Sequence, residues 1–203
     1  MTSDDLATLN KRRLAALDRY RGAFLGLALA DAAAARSVFD GCDTLLDHGN
    51  LLDLRWPDPV LFGGVATLWH GGDLHATDSA LASLPDGAPA RRAAVVMSLL
   101  LAGVPRETVP DDASSSAVAA VRRATCFADG LRRLQSPASL AYGLLAGAAF
   151  GEGALDAEAV RRLPDRARAR AIAGALFERV WTPAPPDAPE VVCEHCRALL
   201  ERR

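Results

Sequence analysis

The chain has 203 residues, a hydrophobic content of 50% and a formal net charge of −2. This length suffices for one domain with a hydrophobic core, and the near-neutral charge, with no basic stripe on any predicted helix face, argues against nucleic acid as a partner. The polar N-terminus lacks a signal-peptide pattern, and no apolar run reaches the ~18 residues of a membrane span. We therefore expect a cytoplasmic protein with no membrane partner.

Alanine and leucine dominate the composition, and few β-branched runs interrupt them. This composition predicts an all-α fold. We expect one helical domain over residues 1–182. Residues 183–203 follow as a proline-rich linker and a short amphipathic C-terminal helix.

The first predicted helical region covers residues 4–36, as one long helix or two successive ones, because its apolar residues recur at three- and four-residue steps. Gly22 and Gly26 share one face of that region, so small residues there would let another helix approach closely. Asp31 is a single acid inside an apolar run. A carboxylate in such surroundings needs hydrogen-bond donors, an arginine or a metal ion as a partner.

Residues 40–60 contain Gly, Asp, Asn and Pro and are predicted to be rich in loops. Further helices are predicted over residues 60–69, 90–103, 114–134 and 137–150. Asp78 and Ser79 are a possible cap in the segment between the first two, and Asp156 and Asp165 are expected to begin two later helices.

Cys193 and Cys196, with His195 between them, have a spacing that suits two ligands of one Zn²⁺ ion. A closed zinc site needs four ligands, and no second pair is present in the sequence, so we interpret the pair as small thiols of a helical tail. The serines at 114–116 lack a nucleophile-elbow motif and are interpreted as a solvated N-terminal helix cap.

The segment RYRGAFLGLALADAAAARSVF resembles the N-terminal motif of the ADP-ribosylglycohydrolases. The shared features are an acid–arginine pair, two glycines four residues apart and an acid followed by small residues; here these are Asp18, Arg19, Gly22, Gly26 and Asp31. The segment that begins YGLLAGAAFG and the segment GAPARRAAVVMSLLLAGVPRE are similar to later helices of the family. Together the three segments cover most of the chain.

The resemblance implies an all-α orthogonal bundle around a cleft, in which two Mg²⁺ or Mn²⁺ ions bind ADP-ribose and help to cleave its bond to a modified side chain. Family members take oxygen ligands from a Thr/Ser-Asp-Asp-Thr element and a later Asp-x-Asp-Thr/Ser element. In this chain the first element falls on residues 56–60, where Asp58 remains. The second falls on residues 134–137, where Ser136 offers one oxygen.

The resemblance therefore implies that Asp31 and Asp58 are the candidate catalytic residues, that Asp31 and Ser136 are cofactor-binding residues, and that Asp58 binds the metal, which would be Mg²⁺ or Mn²⁺. Because most ligand positions are substituted, we expect a shortened non-catalytic member. Such a protein would bind ADP-ribose, a nucleotide or a protein partner.

Two other functions remain open. The first is an active metal-dependent hydrolase in which a third acid joins Asp31 and Asp58; the candidates are Asp53, Asp73 and Asp78. The second is a purely structural or interaction protein, in which residues 183–203 dock a partner or a second copy of the chain.

Overall fold

The computed structural model describes residues 3–51, 58–82, 87–111, 115–134 and 138–181. Within these ranges the chain forms ten α-helices and no strand, which confirms the all-α class for the described residues. The helices are α1 (Ser3–Ala30), α2 (Ala32–His48), α3 (Pro59–Trp69), α4 (Leu74–Leu81), α5 (Ala88–Leu101), α6 (Ser116–Arg123), α7 (Phe127–Leu131), α8 (Ala138–Phe150), α9 (Ala157–Arg162) and α10 (Arg166–Val180). Residues 183–203 lie outside the described ranges, so the predicted second unit stays a prediction.

The first two helices form a hairpin whose connection is a single residue, Asp31. Its backbone is extended, with φ −160° and ψ 100°, and this interrupts the helix between Ala30 and Ala32. The rings of Phe24 and Phe39 lie on either side of that break with their centroids 6.3 Å apart. Residues that are a similar number of positions before and after Asp31 therefore face each other, and α2 runs back along α1.

α2 continues to His48 and ends at Gly49, which has φ +74°. The prediction of a loop-rich segment beginning at residue 40 is thus wrong for residues 40–48. Cys42 and Leu45 are fully buried and extend the apolar face that begins with Phe39. Burial of this face stabilises a helix through Gly and Asp residues that are poor helix formers in isolation.

α1 and α8 pack with their backbones in contact. A Cβ atom on Gly22 would lie 2.2 Å from the carbonyl oxygen of Gly147, and one on Gly26 would lie 2.3 Å from that of Gly143. The pairing of an early residue of α1 with a late residue of α8 makes the two helices antiparallel. The predicted close approach at Gly22 and Gly26 is confirmed.

α3 packs between α1, α5 and α8. The hydroxyl of Tyr20 donates to the carbonyl of Leu68 at 3.1 Å, and a Cβ on Gly63 would lie 2.1 Å from the carbonyl oxygen of Ala90. The first half of α3 is therefore held against the first turn of α5. No helix in the described ranges has both the length and the apolar character needed to span a membrane.

The predicted helix over residues 114–134 is divided into α6 and α7. Ala124 adopts an extended conformation with ψ 131°, and its carbonyl accepts a hydrogen bond from Nε of Arg106 at 3.0 Å. The break turns Phe127 inward, where its carbonyl accepts a 2.8 Å hydrogen bond from the Tyr142 hydroxyl on α8. A continuous helix would not allow this contact.

Three predicted caps differ from the structure in detail. Asp73, not Asp78 or Ser79, caps α4, with its Oδ1 accepting from the amides of residues 75 and 76. Asp165 occupies the cap position of α10, but its carboxylate accepts from Arg36 at 2.7 Å instead of from the helix backbone. Ser115 caps α6 as expected, yet it is only 8% exposed, so the cap is buried.

The other predicted boundaries agree with the structure. α5 covers most of the predicted helix and is followed by Gly103, which has φ +82°. α8 ends before Gly151, which has φ +76°, and Asp156 caps α9.

Candidate functional site

Asp31 is the N-terminal cap of α2. Its Oδ1 atom accepts hydrogen bonds from the amides of Ala33 at 3.0 Å and Ala34 at 3.1 Å. These hydrogen bonds explain the acid in this apolar run, because its carboxylate caps the N-terminus of α2. The side chain is only partly buried. Both cap bonds use the same oxygen, so the cap does not require Oδ2.

Asp58 has the same arrangement at the start of α3. Its Oδ1 accepts from the amide of Val60 at 2.8 Å and from that of Leu61 at 3.4 Å. Pro59 occupies the first helical position, where its missing N–H costs no hydrogen bond. The two predicted acids therefore share one local geometry, in which one carboxylate oxygen holds a helix N-terminus.

Packing brings these two acids to the same end of the bundle. On α3, Leu68 lies beside Tyr20, and Gly64 lies beside Leu144 of α8. Residues next to Leu144 on α8 contact the C-terminal turns of α1, so α3 runs antiparallel to α1. Asp58, six residues before Gly64, consequently lies towards the end of α1 where Asp31 is found.

Two more helices begin at this end. Gly143, five residues into α8, contacts Gly26 and Ala30, so the start of α8 lies near the end of α1. The start of α5 lies against α3 through Ala90 and Gly63. We call this region the Asp31 end; it comprises Asp31 and the first turns of α2, α3, α5 and α8. Ser136 precedes α8 by two positions and lies outside the described residues.

The Asp31 end combines helix N-termini with basic side chains. Gly87 begins α5 without a side-chain cap, and Arg91 and Arg92 are exposed on the next turn. A helix N-terminus carries a partial positive charge, which disfavours nearby cations and attracts anions. Arg91 and Arg92 were missed by sequence reasoning, because their position near a helix N-terminus becomes meaningful only when the neighbouring N-termini are known.

Metal chemistry at the Asp31 end has few ligands available. Among the described residues, no group of three His, Cys, Asp or Glu side chains is arranged to hold a metal ion. Of the proposed third acids, Asp73 caps α4, Asp78 lies within α4 and Asp53 falls outside the described ranges. Asp31 and Asp58 would each offer Oδ2, and a Mg²⁺ or Mn²⁺ ion held by two such oxygens would keep most of its water ligands.

The acid–arginine pair of the first motif lies near the middle of α1. The Asp18 carboxylate accepts from the amide of Gly153 at 3.1 Å, and Arg19 donates to the carbonyl of Leu101 at 3.0 Å. Both side chains therefore fix loops that follow other helices. Among Asp18, Arg19 and Asp31, only Asp31 lies at the end of the bundle where α2, α3, α5 and α8 begin.

The histidine with a shifted pKa also lies far from the Asp31 end. His70 follows α3, its Nε2 atom is buried without a hydrogen-bond partner in the described structure, and burial lowers its pKa. Arg179 of α10 stacks over the adjacent Trp69 ring at 3.8 Å from the centroid. This arrangement belongs to the packing of α3 against α10 and supplies no group to Asp31 or Asp58.

Cys193 and Cys196, interpreted from the sequence as small thiols of a helical tail, lie outside the described residues, so that interpretation stays a prediction. Of the described cysteines, Cys42 is buried and Cys126 is exposed.

Comparisons of the chain with protein-family models, with curated proteins and with solved structures found no match.

Proposed function

We propose that this chain is a shortened, non-catalytic protein with an ADP-ribosylglycohydrolase-like fold that binds ADP-ribose or a related nucleotide at the Asp31 end. The observation that carries the proposal is the location of Asp31 and Asp58, 27 residues apart in the sequence, at the end of the bundle where α5 and α8 also begin. The proposal rests on the motif resemblance and on this geometry together.

The chemistry of the Asp31 end suits the two parts of such a ligand. The amides at the start of α5, to which Gly87 offers no side-chain cap, and the exposed guanidinium group of Arg91 suit a diphosphate. The Oδ2 atoms of Asp31 and Asp58 suit ribose hydroxyl groups, which donate hydrogen bonds to carboxylates. Protein groups can therefore contact both parts without a metal ion.

The same geometry supports binding more strongly than hydrolysis. A dimetal hydrolase needs several oxygen ligands around each cation to orient substrate and activate water. Asp31 and Asp58 each use one oxygen to cap a helix, and residues 57, 59 and 60 are Pro, Pro and Val, with no side-chain oxygen. Loss of ligands, without replacement by other oxygen donors, favours a binding protein.

Calorimetric titration of ADP-ribose into the full chain, with and without Mn²⁺, tests this proposal. We expect binding without metal, weakened about tenfold in Arg91→Ala because one charge-assisted contact is lost. Arg161→Ala, which removes an exposed arginine paired with Glu158 on α9, is the matched control. It should bind like the unmodified protein.

Asp31→Asn and Asp58→Asn test the carboxylates without removing the helix caps, since Asn caps a helix as well as Asp does. Asp156→Asn is their control, because Asp156 caps α9 with the same two-amide geometry. Absence of ADP-ribose binding would overturn the proposal. Mn²⁺-dependent release of ADP-ribose from a modified arginine substrate would instead establish the active hydrolase.

A further inference from the structure

The N-terminal half of α1 carries two exposed leucines on one side of the helix. Leu6 and Leu14 are 51% and 58% exposed and are the exposed large hydrophobic side chains of the described residues. With Asn10 between them, they recur at four-residue steps and share one side of the helix. We call these three residues the α1 strip.

The described chain ends after the last turn of α10, which contacts residues 13 and 20 of α1. Arg13 of α1 forms an ion pair with Glu178 of α10, and the Tyr20 ring packs edge-on against Phe177 at 5.6 Å. Trp181 stacks on Phe177 at 5.2 Å and is the last described residue. Arg21 of α1 and Arg170 of α10 both pair with Glu152, whereas Arg13 pairs with Glu178. α10 therefore runs antiparallel to α1, and its C-terminal end points towards the N-terminal half of α1.

The 22 residues after Trp181 have a sequence suited to covering this strip. Residues 182–190 read TPAPPDAPE, which is typical of an extended linker. Residues 191–203 read VVCEHCRALLERR, with Val192, Cys196, Leu199 and Leu200 at helical spacing. A helix of this pattern has one apolar face that needs a partner.

We propose that residues 191–203 form a helix that packs on the α1 strip of the same chain. A thirteen-residue helix is about 20 Å long, and the α1 strip from Leu6 to Leu14 spans about 12 Å. An extended linker of nine residues reaches about 28 Å. The distance along α1 from Arg13 to its first turn is about 14 Å, so the linker can place this helix at any point of the strip.

The charges of the two helices favour an antiparallel orientation of residues 191–203 on α1. The first turn of α1 contains Asp4 and Asp5, and residues 11–13 are Lys, Arg and Arg. An antiparallel C-terminal helix places Glu194 near residues 11–13, and it places residues 201–203, Glu-Arg-Arg with a net positive charge, near the acidic first turn. The parallel orientation would bring like charges together at both places.

Cysteine cross-linking in the full chain tests this contact. Leu14→Cys places a thiol on the α1 strip, at the level of Cys193 and Cys196 in the antiparallel arrangement. The background is Cys126→Ser, which removes the exposed described thiol, whereas Cys42 is buried and its pKa is raised by that burial. A short bismaleimide at low protein concentration should then join residue 14 to a tail cysteine within one chain.

Thr8→Cys is the matched control, since Thr8 is exposed on the opposite side of α1. We expect cross-linking about tenfold faster for Leu14→Cys than for Thr8→Cys, because docking raises the effective concentration of the two thiols above that of a free tether. Asn10→Cys, a polar and exposed position of the same strip, should behave like Leu14→Cys and serves if that variant folds poorly.

Peptide mass analysis of the cross-linked products decides the outcome. Intrachain links from positions 10 and 14, and few from position 8, would support the proposal. Equal yields at all three positions, or no intrachain link, would overturn it. Links between chains would overturn it too and would assign the α1 strip to a second copy.

Discussion

Gly22 of α1 and Gly147 of α8 are in reciprocal backbone contact: a Cβ on either residue would lie within 2.2 Å of the carbonyl oxygen of the other. Gly22→Ala and Gly147→Ala each require the two helix backbones to separate. We expect each to lower the free energy of unfolding by about 3 kcal/mol. Urea unfolding followed by circular dichroism measures the change.

Gly174→Ala is the control for that experiment. Gly174 lies inside α10, and a Cβ there would meet no atom within 4 Å. The same substitution should therefore stabilise the protein, by about 0.5–1 kcal/mol, because alanine loses less backbone entropy than glycine in a helix. Destabilisation of all three variants by similar amounts would contradict the close packing of α1 on α8.

The Asp31 carboxylate should stabilise the protein as a helix cap. Asp31→Ala leaves the amides of Ala33 and Ala34 without their acceptor, and we expect a loss of about 1 kcal/mol. Asp31→Asn should cost much less because its side-chain oxygen can accept the same bonds. Thermal unfolding of both variants separates the capping role from any ligand-binding role, and equal losses would contradict the cap.

Stability should fall on mild acidification because of His70. Its pKa is lowered from 6.5 mainly by burial and further by Arg179, while Asp73 acts in the opposite direction. The unfolded chain therefore binds a proton at this site at a higher pH than the folded chain does. The contribution is full above pH 6.5 and is lost as the pH falls through the lowered pKa of the folded state.

Urea unfolding between pH 8 and pH 5 measures this effect, and His70→Gln removes the titrating group. His48 and His75 remain exposed in both proteins, so the difference between the two pH profiles isolates His70. We expect a shallower decrease for His70→Gln. Identical profiles would show that the imidazole titrates alike in the folded and unfolded states.

The hydroxyl of Tyr142 should contribute through its bond to the Phe127 carbonyl. Both residues are buried, and the bond is 2.8 Å long. Tyr142→Phe keeps the ring but leaves that carbonyl without this donor, so we expect a loss of about 1–2 kcal/mol. Denaturant unfolding checks the value, and an unchanged midpoint would mean that water replaces the hydroxyl.

The sequence predicted the elements whose signals are local. The spacing of Gly22 and Gly26 indicated a close helix contact, and Gly103 marked the end of α5. The extension of α2 through Asp40 and Gly41 was missed, since it depends on burial of Cys42 and Leu45 against the core. Tertiary burial outweighs weak local helix propensity there.

In the candidate site, too, the local features could be predicted from the sequence, whereas those that depend on helix packing could not. Asp31 and Asp58 were selected by motif resemblance, and their caps involve neighbouring amides only. Their location at one end of the bundle depends on the antiparallel packing of α3 and α8 on α1, which no local pattern encodes. Arg91 was missed for that reason.

Asp31 is the single residue that connects α1 to α2, so this connection cannot absorb a change in its length. Inserting or deleting one residue there would turn α2 by about 100° about its axis and would carry Phe39 away from Phe24 and into solvent. A change in the number of residues is therefore more damaging at this position than a change in their identity. Among natural variants of this chain, we expect substitutions around Asp31 but no insertions or deletions.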